Sequence, residues 1–281
     1  LILSSGEAHL LLMDVAQMIQ MILYGWLGMA LMMAILYGVA RITRNAGIVD
    51  AGWATGLAVL AVFYAAVGDG LAARRLLLAA LAGFWGLRLG SYLFFNRFVG
   101  KPEDGRYREL RNRWGDRAER NLFLFFQFQA SWDVLFSLPF LAVAFNANPA
   151  LGLWDLLGAV VWGIAVLGET TADRQLALFR AQPGNKGKTC NQGLWRYSRH
   201  PNYFFEWVHW FAYIFLAVGS SLWWVTLLGP ALMGVFLLKI TGIPHTEEQS
   251  LKSRGESYRE YQRTTSAFVP WFPKKPAKPG P

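Results

Sequence analysis

The chain has 281 residues, of which 54% are hydrophobic and only 16% charged, against about 25% charged in an average soluble domain. Its single cysteine, Cys190, excludes an intramolecular disulfide and any multi-cysteine metal site. The formal net charge is +9, and where that charge falls along the chain explains it without a nucleic-acid partner.

The apolar residues come in long blocks. Residues 15–40 carry no charge, and neither do 51–68, a run that Asp69 closes. Residues 76–96 contain only Arg88, 122–147 only Asp133, and 149–168 only Asp155. The stretch 203–238 is too long for one span of about 20 residues, and the Gly219-Ser220-Ser221 turn divides it in two. The sequence therefore predicts an all-α, polytopic integral membrane protein of about seven transmembrane helices. The first block is too long for a signal-peptide core and has no basic residue ahead of it, so it reads as helix one.

With seven spans, 24 of the 27 Lys and Arg residues fall in loops on one side, while Arg74 and Arg75 face the other. Cytoplasmic loops are enriched in these residues, so the N-terminus is expected outside and the C-terminus in the cytosol. No internal repeat is evident, which disfavours an inverted-repeat transporter. There is no GxGxxG after a strand, no P-loop and no HExxH. The four histidines show no metal-ligand spacing, and no metal is expected.

Polar residues interrupt this pattern at a few places. NAGIVDAGW (45–53) sets Asp50 and Trp53 at the start of helix two, where Asp50 fits either a helix cap or a functional carboxyl. NRFVGKPEDGRYRELR (96–111) carries Arg97, Arg106 and Tyr107, as a solvated loop or as a flap over a ligand. Gln127, Gln129 and Asp133 are intramembrane polar groups, suited to interhelical hydrogen bonds or to lining a substrate pocket.

The richest segment is 169–206, where Asp173 and Arg180 stand seven apart on one helical face. A glycine-containing loop with Lys186 and Lys188 follows, then Arg196, Arg199, His200, Asn202 and Glu206. Cytoplasmic orientation alone accounts for basic residues here. Asn202 and Glu206, however, lie one turn apart on the apolar side of the boundary, where polar groups are costly. Guanidinium and ammonium groups suit phosphate oxygens, and Asp or Asn suits ribose hydroxyls. The ensemble points to a nucleotide with several phosphates. Beyond the last span, 251–263 reads as a charged tail helix, 266–273 (SAFVPWFP) as an interfacial end-piece, and 274–281 as disordered.

The order D-x6-R, basic Gly loop, G-L-W-R-Y-S-R-H-P-N-Y-x2-E, short helix pair and Tyr-rich tail ending in F-V-P-W resembles the steroid 5-alpha-reductase family, nearest its bacterial membrane branch. That superfamily also holds sterol C14 reductases and isoprenylcysteine methyltransferases. The resemblance covers about 169–273 well and the N-terminal part weakly. It implies one reductase domain over 1–273, with 1–147 mainly on the substrate side and 148–273 mainly on the cofactor side, in a bacterial inner membrane. NADPH would bind from the cytosol through Asp173, Arg180, Lys188, Arg196, Arg199, His200, Asn202 and Glu206. His245, Glu248, Tyr258 and Tyr261 of the tail would add to it, with Arg97 and Arg106 from the flap.

Asp50 would take the place of a glutamate that polarises a substrate ketone, with Tyr92 as the partner hydroxyl and Trp53 and Gln127 lining the substrate site. The substrate would be an apolar enone such as a 3-oxo-Δ4 steroid, with membrane lipids around it and no obligate protein partner. Two departures are visible: Glu169 stands where the reductases have Asn, and Glu247-Glu248 is closer to the methyltransferase arm. The rivals are thus an S-adenosylmethionine-dependent methyltransferase and a non-enzymatic lipid-binding protein.

Overall fold

The computed structural model describes residues 5–274, so the expected disordered tail lies outside the described residues except for Lys274. Among the described residues the chain is helical throughout, without a strand. It divides into two compact units, one running to Leu151 and taking back Ala217–Val225, the other comprising Gly152–Leu216 and the chain from Thr226.

The first unit holds α1 (Ser5–Thr43), α2 (Ile48–Val67), α3 (Ala72–Leu93, prolonged by a π-helical turn Phe94–Phe98), α4 (Gly105–Trp114) and α5 (Ala118–Ala144). α2 is its central helix. Small residues let its neighbours close on it, as in membrane helix pairs of the GxxxG type. A Cβ on Gly86 of α3 would lie 2.6 Å from the Ala54 carbonyl oxygen, and one on Gly56 of α2 would lie 2.8 Å from Asp133 Oδ2 of α5. Tyr64 is fully buried behind this seam.

α1 turns the row Ile19, Leu23, Leu27, Leu31 and Ile35 outward, each more than half exposed. A continuous apolar stripe of this kind is costly against water and natural against lipid tails. Arg74 is 2% exposed, and its guanidinium donates to the carbonyls of Asn146, Asn148 and Ala150 at 2.8–3.2 Å. Arg75 likewise donates to Gly70 and Ala65 carbonyls. These two cations fasten loops instead of standing free at the surface.

The second unit holds α6 (Leu153–Ala181), the short α7 (Pro201–His209) and α8 (Phe211–Leu216), α9 (Leu228–Val235, prolonged by a π-helical turn Phe236–Ile240), α10 (Ile243–Arg254) and α11 (Glu256–Thr264). α6 also presents an apolar outer row, Leu156, Val160, Ile164 and Leu167. Trp195 Nε1 donates to the Ala172 carbonyl at 2.9 Å, and Gln175 Oε1 accepts from Leu194 N at 2.9 Å, seating the 182–200 loop on α6.

Five helical segments among the described residues are long and apolar enough to cross a membrane: Val15–Thr43, Ile48–Val67, Ala72–Phe98, Leu153–Ala181 and Trp223–Arg254. The sequence pattern predicts two more. The block 122–147 does form α5, 27 residues long, but its polar Gln127, Gln129 and Asp133 accompany its absence from those five. The first of the two helices expected within 203–238 is itself broken: α7 ends at His209 and α8 starts at Phe211. The charged tail also differs, because Gly255, at φ +56°, breaks it into α10 and α11.

Candidate functional site

In the first unit the polar groups gather at the α1–α2 corner. The chain turns there through Arg44, at φ +51°, and the loop after α3 is stitched onto the turn. Asn45 Nδ2 donates to the Lys101 carbonyl at 3.1 Å, and Glu103 Oε1 accepts from Ala46 N at 2.9 Å. Asp104 caps α4 by accepting from Arg106 N at 2.9 Å, the usual task of an aspartate at a helix start.

So fixed, α4 delivers two side chains to Asp50 in the first turn of α2. Arg106 Nη2 reaches Asp50 Oδ2 at 2.9 Å, and Tyr107 Oη donates to Oδ1 at 2.6 Å. Arg97, from the π-helical turn after α3, also donates to Oδ2, at 2.5 Å. Three donors thus converge on one carboxylate that is only 17% exposed. Burial and Asp50 push the Tyr107 phenol well above its usual range, with Arg106 opposing, so Tyr107 remains a donor at ordinary pH. Burial also acts to lower the Arg106 guanidinium, but Asp50 and Asp104 overcome it and its pKa is raised.

The resemblance expects Tyr92, on α3, to share a substrate ketone with Asp50; the hydroxyl bonded to Asp50 itself is that of Tyr107. Asp50 is not the cap of α2 either, since the N-cap position is Gly47. Trp53 packs edge-on against Phe136 with ring centroids 5.6 Å apart. Gln127 Nε2 donates to the Ala30 carbonyl at 3.4 Å, tying α5 to α1.

In the second unit Asn202 Nδ2 donates to Asp173 Oδ1 at 3.1 Å, so the two polar residues singled out from α6 and α7 do meet. Glu206 is buried one turn further along α7. At the cytosolic end predicted for α6, a cleft of about 320 Å³ is lined by Arg180, Lys186, Lys188 and Arg254, with Asn185 and Ser253 among the polar groups. Four cations around one cleft suit an anion of several negative charges.

Other predicted cofactor residues are engaged within the protein. Arg199 grips Glu247 through Nε at 2.6 Å and Nη2 at 3.2 Å, and its Nη1 donates to the carbonyls of Gln262 and Thr265. His200 Nε2 meets the same Glu247 Oε1 at 3.2 Å, with its ring stacked on Tyr203. Tyr258 Oη donates to Glu247 at 3.4 Å, and burial with the Glu247 charge pushes its phenol up to about 12. Tyr261 donates to the carbonyls of Trp195 and Ser198. Glu248 is exposed and pairs with Lys252, one turn away, at 2.6 Å. His245 is half-buried in the first turn of α10, and Arg196 lines a different cleft from Arg180.

Residues 36–265 match a family described as "Protein of unknown function (DUF1295)". The chain belongs to the DUF1295 family. That family includes steroid 5-alpha-reductase-like proteins. The chain is also 27% identical over 270 residues to an uncharacterized protein, C594.04c, of Schizosaccharomyces pombe, covering 84% of this chain and 76% of the relative. No solved structure matches it.

The matched stretch of this DUF1295 member contains both polar clusters. Two of their central residues escaped the sequence reading. Tyr107 appears in the sequence reading only within the loop or flap 96–111, and Glu247 only as half of the Glu247-Glu248 pair. The signal for Glu247 was its helical phase: it shares a face of α10 with Ile243, Ser250 and Arg254, which turn inward.

Proposed function

We propose that this protein is an NADPH-dependent membrane reductase that saturates the activated C=C of an apolar enone, such as a 3-oxo-Δ4 steroid or a related lipid. The observation that carries the reading is the joining of Asn202 to Asp173 on the same helix whose end supplies Arg180 to a four-cation cleft. One helix thereby offers a hydroxyl-binding carboxylate and a phosphate-binding guanidinium two turns apart. NADPH, when bound, supplies a hydride to the β-carbon of the enone.

The chain's own residues do the rest. Arg180, Lys186 and Lys188 hold phosphate oxygens, and Asp173, oriented by Asn202, accepts from a ribose hydroxyl. Both Asp50 oxygens already accept, so in this reading Asp50 is a positioning residue. Donation to the substrate carbonyl then falls to the guanidiniums of Arg97 and Arg106, each with five N–H donors, which stabilise charge as it develops on that oxygen, while the single O–H of Tyr107 holds Asp50. The same reading takes the chain as a seven-span protein of a bacterial inner membrane, N-terminus outside, with the Arg180 cleft facing the cytosol.

Calorimetry tests it. The wild type should bind NADPH in preference to S-adenosylmethionine. Arg180→Ala should weaken NADPH by about 10-fold to 150-fold, the worth of one charge-assisted contact. Equal affinities in the two proteins, or a preference for S-adenosylmethionine, would remove the reductase assignment. The second outcome would favour the methyltransferase reading, for which the Glu247-Glu248 pair speaks.

A further inference from the structure

We propose that the C-terminal segment 266–273 is a fixed interfacial anchor, and that the cleft beside it, between Arg196 and Lys274, seats the head group of an acidic phospholipid. Arg196, expected at the cofactor from the sequence, lies in this cleft and not in that of Arg180, so the inference does not depend on the proposed reductase machinery.

The segment is held rigidly by its backbone. Ser266 O accepts from Arg199 N at 2.8 Å, Phe268 O from Ser198 Oγ at 2.7 Å, Trp271 N donates to Tyr197 O at 2.9 Å, and Lys274 N to Thr264 O at 2.8 Å. With those points fixed, Trp271 and Phe272 are turned outward, 71% and 76% exposed, and Val269 is 52% exposed. Phe272 meets the partly exposed Tyr197 edge-on, with ring centroids 6.1 Å apart. Phe268, by contrast, is buried in the same segment. Outward aromatics on a pinned strand of chain are a poor arrangement in water. They are the preferred arrangement at a lipid headgroup boundary, where Trp and Tyr concentrate.

The adjoining cleft, about 580 Å³, has the chemistry of a phosphate site. Arg196 and Lys274 line it, together with Thr189, Asn191, Ser257 and Thr264. Its acidic member, Glu260, is taken by Arg263 at 2.8 Å, and Glu256 by Arg259 and Arg263. The outer face of α11 therefore closes its charges on itself. No carboxylate among the described residues forms an ion pair with Arg196 or Lys274. Two cations without a carboxylate partner among the described residues, hydroxyl and amide donors, and an aromatic shelf together match a phosphodiester whose acyl chains continue into the bilayer. A soluble anion would use the cations but leave the shelf uncovered.

The test is lipid retention by the purified full chain in mixed micelles of phosphatidylglycerol and phosphatidylcholine, read by native mass spectrometry. The wild type should enrich phosphatidylglycerol. Lys274→Gln should lower that enrichment about fivefold, and Arg196→Gln/Lys274→Gln about 25-fold, since each cation near an acidic surface is worth about that factor. Trp271→Ser/Phe272→Ser should reduce retention of both lipids while leaving the preference between them. Both cations are exposed, so the variants should fold, and unchanged thermal unfolding checks this. An enrichment equal in the wild type and the double cation variant would overturn the proposal. So would displacement of the lipid by soluble glycerol phosphate at comparable concentration, which would mean that the cleft reads phosphate without the membrane.

Discussion

The Tyr107 hydroxyl donates to Asp50 Oδ1 at 2.6 Å across 57 positions of sequence, and so locks α4 over the start of α2. The bond orders both partners. Asp50 fixes where the phenol points, and Tyr107 occupies the oxygen that the two arginines leave open.

Tyr107→Phe separates the hydroxyl from the ring. In the proposed reductase it should slow single-turnover oxidation of NADPH by a steroid enone about 10-fold, because losing one hydrogen bond of about 1.4 kcal/mol loosens the carboxylate that orients both guanidiniums. NADPH affinity should stay near wild type. Asp50→Asn should also be impaired, because one Asn oxygen cannot replace two carboxylate oxygens that serve three donors. Its amide NH2 would have to face either two guanidiniums or the phenol proton. A Tyr107→Phe protein that turns over at the wild-type rate would take α4 out of the active site.

Adjacent glutamates should behave differently in the second unit. Glu247 joins Arg199, His200, Tyr258 and Gln262, and the Arg199 side chain is only 10% exposed. Glu247→Ala leaves that guanidinium buried without its carboxylate, a change that typically costs about 3–5 kcal/mol. Glu248→Ala removes an exposed pair one turn from Lys252, and exposed pairs contribute little. Thermal unfolding in detergent should therefore show a large drop for Glu247→Ala and none for Glu248→Ala. Equal midpoints would mean that the buried network is not what holds α10 and α11.

The contrast between these two residues shows how far the sequence could be read. Apolar runs with at most one charge announced α1, α2, α3, α5 and α6, because a long apolar helix is a matter of length and polarity, both local properties. The Asp173–Asn202 pairing was also within reach, since both residues stand at the edges of apolar blocks. Which of Glu247 and Glu248 turns inward depends on helix phase set by Gly242 and Gly255, on either side of α10, and charge counting cannot supply it. The Tyr107–Asp50 bond lies further beyond local pattern: it depends on how Asn45 and Glu103 fasten one loop to another. The split of 203–218 into α7 and α8 is not legible for a similar reason, as no Gly or Pro marks Trp210.

Cys190 should be silent in labelling experiments. It is buried beside Phe179 and Trp195, and burial raises its thiol above the ordinary range despite the nearby Arg180 and Arg254. Since the thiolate is the reactive form, a maleimide should leave the native protein unmodified near neutral pH and react once the protein unfolds. The wild-type background then serves for topology. Lys188→Cys, at an exposed position, should react only from the cytosolic side. Reaction from the outside would reverse the proposed orientation.

Asp133 sets up the last test. It is fully buried in α5, and neither carboxylate oxygen has a hydrogen-bond partner among the described residues. Opposite it is Gly56, where an added Cβ would sit 2.8 Å from Asp133 Oδ2 and 3.0 Å from Met29 Sδ. Gly56→Ala should therefore overpack the seam and destabilise by about 1–3 kcal/mol. Asp133→Ala trades two terms. It loses a small volume, but it also removes an unsatisfied polar group whose desolvation costs about 1–3 kcal/mol, so the net change should be near zero or stabilising. The two sites share one contact, so their effects should not add. On the Asp133→Ala background Gly56→Ala should cost less, with a coupling of about 0.5 kcal/mol or more. Thermal unfolding of the four proteins in the cycle measures this. If Asp133→Ala is strongly destabilising and Gly56→Ala costs the same on both backgrounds, the carboxylate is holding the helices together and the seam at Gly56 is not what limits their approach.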